Sequence, residues 1–417
     1  VSRRYDIAVA GCGPAGLAAA LLFERAGHRV TLVERFAAPQ PLGSGLILQP
    51  TGLAVLRELG LAATISARGS RIERLYGLGA ASGSVVLDVR YAALGPAASG
   101  LGVHRGSLFE TLFDAVTARG IAIETGCEVV DAEPGSGGQT LLHLQGGRRL
   151  GPFDLVVDAL GARSPLLGRA LRPARQRSLG YGAIWANVPL AEGFDPHALE
   201  QRYRRASVMV GVLPIGRAPG ADATLASFFW SLKPDSHAGW KARGLAAWKD
   251  EVLGHWPQTA PLLAHLDDAD QLLLATYRHH TLPVPAGRGI AFVGDCAHST
   301  SPQLGQGANM ALLDAFALAS AVAEERDIAA ALQRYARLRR GHVRLYQAAS
   351  RLFTPFYQSD SRLLPLIRDR LVPPLARVPG VDRQLALLVA GLYGDPLRTL
   401  KLGPAFPMEP ARASVQA

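Results

Sequence analysis

Tyr5-Asp-Ile-Ala-Val-Ala10 is a short apolar run with the continuity of a strand buried on both faces. A glycine-rich turn follows, then an Ala/Leu-rich stretch that predicts a helix over Ala15–Ala26, stopping at Gly27. Arg29-Val-Thr-Leu-Val-Glu34 predicts the next strand, so the first 34 residues hold a complete strand–helix–strand unit. Farther on, the pattern predicts a short helix over 53–60 and a hairpin of Arg71–Leu78 with Val85–Tyr91. A small-residue linker over Pro96–Gly102 and a helix over Ser107–Arg119 come next. Ile121–Val130 reads as extended, Gly135–Gly138 as a turn into Leu141–Leu144, and Phe153–Leu160 as another apolar strand.

Between about 179 and 280 the texture changes. Alternating segments such as Ser207–Leu213 and Ala223–Leu232 share this region with Trp185, Trp230, Trp240 and Trp248, which predicts an antiparallel sheet with a helix or two as a separate layer. Gly289–Val293 returns to buried-strand character, and a long helix is expected from about Ala308 to Glu325. Helices divided by breaks at Pro355, Pro365, Pro373 and Pro374 fill the remainder.

Composition narrows the functional classes. A chain of 417 residues with 48% hydrophobic and 19% charged positions is neither disordered nor collagen-like, and two domains or one domain with a large insertion is the prior. The net charge of +10 would suggest nucleic acid, but no binding motif accompanies it, and no nucleic-acid partner is expected. Only four of the 44 basic residues are lysines, a skew that reads as codon composition. Cys12, Cys127 and Cys296 are sparse and odd in number, as in a reducing compartment. No metal-ligand spacing, signal peptide or membrane-length apolar run occurs, and a cytoplasmic location is expected.

Gly11-Cys-Gly13-Pro14-Ala15-Gly16 sits between the first strand and helix, where the glycines permit a tight turn, close approach of a pyrophosphate and helix–strand packing. Glu34 closes the second strand, 18 residues after Gly16, where a carboxylate accepts ribose hydroxyls. Together these point to dinucleotide binding without separating NAD from FAD. That separation comes from a distant segment: Gly294-Asp295-Cys-Ala-His298, Pro302, Gly305-Gln-Gly307-Ala308-Asn309, then Asp314-Ala315.

With this segment the chain resembles the FAD-dependent aromatic hydroxylases of the para-hydroxybenzoate hydroxylase type, the group A flavoprotein monooxygenases, over about residues 5–345. The resemblance implies an α/β fold: a Rossmann-like FAD-binding domain with an inserted antiparallel β-sheet substrate domain and a helical C-terminal region. The expected division is 1–70, 98–178 and 281–345 for the FAD domain, 71–97 and 179–280 for the substrate domain, and 346–417 for the C-terminal helices. By resemblance, Asp295 reaches the ribityl chain of FAD, and the amides of Gly307, Ala308 and Asn309 face the flavin pyrimidine edge. A helix N-terminus there would stabilise the negative charge of reduced flavin. Leu42-Gly-Ser-Gly45-Leu-Ile47 resembles the loop beside the flavin ring, and Arg105 the arginine on the FAD phosphates. Val129 falls where the family offers a backbone contact to adenine, and Arg35 either covers the adenosine or faces solvent.

The family's middle fingerprint departs here. Its Asp-Gly pair is Leu160-Gly161, while Ser164 and Arg169 are kept; Asp158 stands two places early, on the same strand face but 6–7 Å away by strand geometry of roughly 3.3 Å per residue. This leaves the manner of NADPH or NADH recognition open. The chemistry implied by resemblance is reduction of FAD by NAD(P)H, addition of O2 at flavin C4a, and transfer of one oxygen to an aromatic or polycyclic small molecule. Pro302 is expected to position the ring's reactive edge. Tyr203, Met209, Phe228 and Trp230 are the expected substrate-side residues, with core packing as the alternative for each. Tyr277, His279 and His280 precede the final strand within reach of the pocket, although paired loop histidines are ordinarily solvated. Two further readings stay open: a flavin reductase of the same fold acting on an isoprenoid or lipid-like substrate, and a non-catalytic flavin-carrying protein. The basic, apolar tail (Arg334–Arg351, then Leu363–Leu375) is compatible with weak membrane-surface association and equally with a solvated helix face.

Overall fold

The computed structural model describes residues 3–40, 44–375 and 378–406; Leu42 and Gly43 of the expected flavin loop lie outside them, as do the outermost residues of the first and last expected segments. The opening strand, Asp6–Ala10, lies in the interior of a six-stranded sheet. It pairs in parallel with Arg29–Val33 on one side and Leu155–Asp158 on the other. Ala122–Glu124 and Ile290–Phe292 extend the parallel set, and Ala286–Gly287 adds an antiparallel edge. Helix Pro14–Arg25 and helix Gly307–Glu324 bury their alanine- and leucine-rich faces in one core with the first strand. Because the strands run the same way, their carboxyl ends open together onto Gly11, Glu34, Ala159 and Val293-Gly294, the edge where such sheets take ligands.

A second sheet has seven strands in the order Leu273–Ala275, Gly182–Pro189, Leu225–Leu232, Val208–Gly216, Ala198–Arg204, Arg74–Gly79 and Val85–Arg90. The hairpin expected at 71–91 therefore joins strands more than 100 residues away, Arg74–Gly79 running parallel to Ala198–Arg204. One face of this sheet packs against helices His237–Arg243, Leu245–His255 and Ala260–Leu263, whose Trp240, Trp248 and Leu262 meet Ile184, Val210, Phe228 and Trp230. The other face looks toward the six-stranded unit.

Two expectations need correction. The linker over Pro96–Gly102 ends in a strand, Gly100–His104, which pairs with Gly45–Leu48 and Ser70–Ile72. Its small residues serve close packing: a Cβ on Gly102 would overlap the carbonyl of Pro214, and one on Gly100 would sit 2.9 Å from Ile47. The boundary at 345/346 falls inside one continuous helix, Ile328–Tyr357. Pro355 does not break it: placed in the last turn, it costs the single hydrogen bond that an N–H there would make to the Arg351 carbonyl, and the helix stops two residues later.

Candidate functional site

The glycines of the first turn serve different ends. Gly11 adopts φ +102°, and a Cβ there would stand 2.7 Å from the carbonyl oxygen of Ala159. A Cβ on Gly16 would overlap the carbonyl of Gly11, so the third glycine is required by packing. Gly13 is open: nothing lies within 4 Å of its Cβ position. Helix Pro14–Arg25 starts there with Pro14 at its first position and no side-chain cap, leaving its first N–H groups to an incoming anion; Ala15 is buried behind them. Glu34 is held at the rim by two backbone donors, Cys12 N at 2.9 Å and Phe36 N at 3.1 Å. Cys127 N donates to the Glu34 carbonyl at 2.8 Å, which brings the segment leading to buried Val129 alongside. Arg35 is exposed, its guanidinium 4.6 Å from the Phe36 ring centre.

The C-terminal motif closes on this turn. A Cβ on Gly294 would lie 3.0 Å from Ala311 and 3.6 Å from Ala15, so Gly294 marks where the two core helices converge. Asp295 is exposed although its immediate neighbours are buried, and its Oδ1 is 4.0 Å from the Cβ position of Gly307. Pro302 opens a single helical turn, Pro302–Leu304, closed by Gly305 at φ +61°. Gly307 then begins an uncapped 18-residue helix, with Gly307 and Ala308 half-buried. Asn309 is buried, and its side chain does something the sequence did not announce. It accepts from Gln49 N at 2.8 Å and donates to the carbonyls of Ile47 (3.1 Å) and Gly305 (2.9 Å). It thereby ties strand Gly45–Leu48 to the Gly305 turn. Gly45 is itself pressed against Ile215 of the second sheet.

Arg105 is exposed at the start of helix Arg105–Ala118, and its charge is felt at Tyr277. Gly161, φ +84°, donates to Cys296 Sγ at 3.0 Å. Asp158 does not reach outward in place of the missing acid. It is fully buried and accepts from Ser164 Oγ, from Leu160 N at 3.0 Å and from Cys296 Sγ at 3.1 Å; burial raises its pKa.

The four expected substrate-side residues divide between the two faces of the sheet. Strand register puts Trp185, Asn187, Ser227 and Phe229 on the face looking toward the nucleotide-binding unit, with Tyr203 and Met209. Phe228 and Trp230 alternate to the opposite face and are core, packed edge-on against Trp248. Tyr203 and Met209 are on the inward face but covered, Tyr203 by the Tyr357 ring at 5.5 Å. The inward face also carries Trp185, Asn187 and Phe229, which the sequence does not single out as site residues, and Ser44 of the expected flavin loop meets them. Ser44 Oγ lies 2.5 Å from both Asn187 Oδ1 and Ser227 Oγ, and Trp185 Nε1 donates to Tyr277 Oη at 3.1 Å. A count of alternation between Trp185 and Asn187 would have found this pair. Nothing local distinguishes Phe228 from Phe229.

A family model described as an FAD binding domain matches residues 4–348. The chain belongs to this family. It is a flavoprotein of the monooxygenase group that its outer motifs resemble. Among curated relatives, aurachin C monooxygenase/isomerase of Stigmatella aurantiaca is 26% identical over 94% of this chain and 98% of its own. The 6-hydroxynicotinate 3-monooxygenase of Pseudomonas fluorescens is 26% identical over 78% of this chain and 84% of its own. In fold, the flavoprotein is similar to 2-methyl-3-hydroxypyridine-5-carboxylic acid oxygenase (TM-score 0.77, 22% identity, 95% of this chain and 98% of that one). It is also similar to Klebsiella pneumoniae HpxO complexed with FAD and uric acid (TM-score 0.78, 20% identity, 93% and 97%). The residues of this flavoprotein fit FAD: open space over Gly13, two uncapped helix starts, and an exposed acid beside Gly307.

Buried charges brace the flavoprotein's second motif. Asp314 accepts from Gly294 N (2.8 Å) and Arg339 Nε (2.6 Å), and its other contact is His298 Nε2 at 2.5 Å. Burial alone would raise the Asp314 pKa, but the charges of His298 and Arg339 hold it at about 2. His279 and His280, expected in solvent, are buried. Burial, then the Arg351 charge, lowers His279 to about 4; burial, then Arg339, lowers His342 to about 3. Below pH 6.5 the unfolded chain therefore takes up protons that these folded imidazoles refuse. Stability should fall from pH 6.5 toward pH 4, by roughly 2–3 kcal/mol for each histidine at most, and His342→Gln should flatten the slope of urea midpoint against pH.

Proposed function

We propose that this chain is an FAD-dependent monooxygenase that takes electrons from NADH or NADPH and uses O2 to hydroxylate an aromatic or polycyclic small molecule. The observation that carries this reading is the exposed Asp295 beside the bare start of helix Gly307–Glu324, whose Asn309 is tied to strand Gly45–Leu48 next to Ser44 and, through it, to Asn187 of the Trp185 sheet. Bound FAD supplies the two-electron reduction and oxygen activation that no amino-acid side chain provides.

The protein's share is placement and exclusion of water. The N–H groups of Gly13 and Ala15 and the charge of Arg105 hold the pyrophosphate, and Glu34 holds the ribose. Arg35 and Val129 border the adenine. Asp295 takes the ribityl hydroxyls, and the N–H groups of Gly307, Ala308 and Asn309 face the pyrimidine edge, where a helix start favours negative charge. Gly45, Ile47, Pro302 and Gly305 bound the ring, and Gly161 and Gly294 keep the backbone close enough to enclose the cofactor. Half-buried Trp185, backed by the buried Phe229 ring with centres 4.6 Å apart, forms the aromatic wall for the substrate. Thr300, Ser301, Ser350 and Thr354 form a hydroxyl cluster with separations of 2.6–3.0 Å, which clamps the segment before Pro302 to the long helix. The chain is read as an FAD-binding unit (1–70, 98–178, 281–345) carrying a substrate unit (71–97, 179–280), with the long helix bridging into the C-terminal region.

The decisive assay incubates holoenzyme with NADH or NADPH, 18O2 and a panel of heteroaromatics. The expected product is heavier by one labelled oxygen; reduced product without label would identify a reductase instead. Asp295→Ala should weaken FAD binding about tenfold or more while leaving apoprotein stability unchanged, since its carboxylate is exposed. Unchanged affinity in a fluorescence titration would refute the Asp295 assignment.

A further inference from the structure

We propose that the substrate pocket is built for an uncharged heteroaromatic carrying a carbonyl or N–H edge, of the quinolone type, and discriminates against aromatic carboxylates. This rests on the monooxygenase reading for the location of the pocket. The inward face of the sheet offers an aromatic wall, Trp185 backed by buried Phe229, and beside it a neutral polar cluster, Ser44, Asn187 and Ser227. Gly211 lies under Phe229, whose ring occupies the space a Cβ would need, so the wall lies flat on the sheet. Hydroxyls and an amide donate or accept as the partner requires, so this cluster suits a C=O or N–H edge.

The cations near this face are engaged or belong to the cofactor side. Arg202 and Arg204 alternate with Tyr203 to the opposite face, Arg202 lying 4.3 Å from the Trp256 ring centre. Arg368 reaches the inward face but is buried behind Tyr203 and Tyr357. Its donors go to Asp369 at 2.8 Å and to the carbonyls of Phe356 and Arg205 at 2.9 and 3.1 Å. Lys233, at the sheet's edge, pairs with Asp360 at 2.7 Å. Arg105 stands on the opposing helix and serves the pyrophosphate in the reading above. The hydroxyls and amide of this cluster pair fully with a neutral C=O or N–H edge, whereas a carboxylate would find no counter-charge on this face of the sheet.

The test is a ligand titration of the FAD-loaded protein with 4-quinolone and with its 2-carboxylate, followed by flavin absorbance and, in parallel, tryptophan fluorescence. The neutral compound should bind at least about tenfold more tightly, a difference of about 1.4 kcal/mol. Asn187→Arg, at an exposed position, should reverse the order by supplying the missing cation. Equal or tighter binding of the carboxylate, or no response to 4-quinolone up to millimolar concentration, overturns the proposal. A carboxylate preference abolished by Arg105→Gln would overturn it by making Arg105 the substrate anchor. Failure of the monooxygenase reading shows separately, as absent oxygen incorporation, because the ligand preference is read from binding alone.

Discussion

Gly16→Ala should give a protein that is both destabilised and unable to hold FAD, whereas Gly13→Ala should keep the fold and lose only the cofactor. The alanine methyl at 16 would overlap the carbonyl of Gly11, a backbone atom pinned because Gly11 N donates to Val33 O at 2.8 Å. The strand end and helix would have to part, at a cost of about 3 kcal/mol or more. At Gly13 the methyl meets nothing, so apoprotein stability should stay within about 1 kcal/mol of the parent. The methyl would, however, occupy the space assigned to the pyrophosphate, and FAD affinity should fall about a hundredfold or more, as expected when a backbone donor site is blocked. Urea unfolding of the apoproteins and FAD titration by fluorescence separate the two effects. A Gly13→Ala protein that binds FAD like its parent would remove the phosphate assignment.

Arg339→Met should cost about 3–5 kcal/mol, the scale for breaking a buried ion pair from one side. Arg339 is 2% exposed and Asp314 is 0% exposed, so the carboxylate would be left with His298 and Gly294 N alone. The sign with pH follows from Asp314. Its folded pKa of about 2 lies below the ordinary 3.8, so its contribution is present above pH 3.8 and vanishes as pH falls through 2. Without Arg339 the carboxylate should protonate at higher pH, and the acid limb of the stability profile should move up. Arg339→Met combined with Asp314→Asn should recover part of the loss, because the orphaned charge is then gone. Equal destabilisation in the single and double variants would show that packing of the long helix, and not the charge, sets the cost.

The strand–helix–strand unit, its glycine turn and Glu34 were legible from a few dozen residues because every determinant is local: apolar continuity, glycine spacing and an acid at a strand end. The second motif was legible for the same reason, since Gly294–Asn309 carries its own turn and helix start. What local reading missed was set by neighbours far along the chain. Gly100–Gly102 looks like a linker until Pro214 is seen to crowd it. Asp158 looks like a displaced ligand until Ser164 and Cys296 close around it. His279 and His280 look solvated until Arg351 and the Cys296 carbonyl cover them.

Residues adjacent along the chain were enough for the glycine turn, its acid and the family, because hydrogen-bond geometry at such a turn depends on near neighbours. Which face of the antiparallel sheet meets the nucleotide-binding unit was settled by long-range packing. Phe228 and Phe229 are chemically identical neighbours, and a strand turns them to opposite faces; which one lines a site depends on what packs against each face. The helices between His237 and Leu263 took the Phe228 side, so the opposite face fell to Trp185, Asn187 and Phe229.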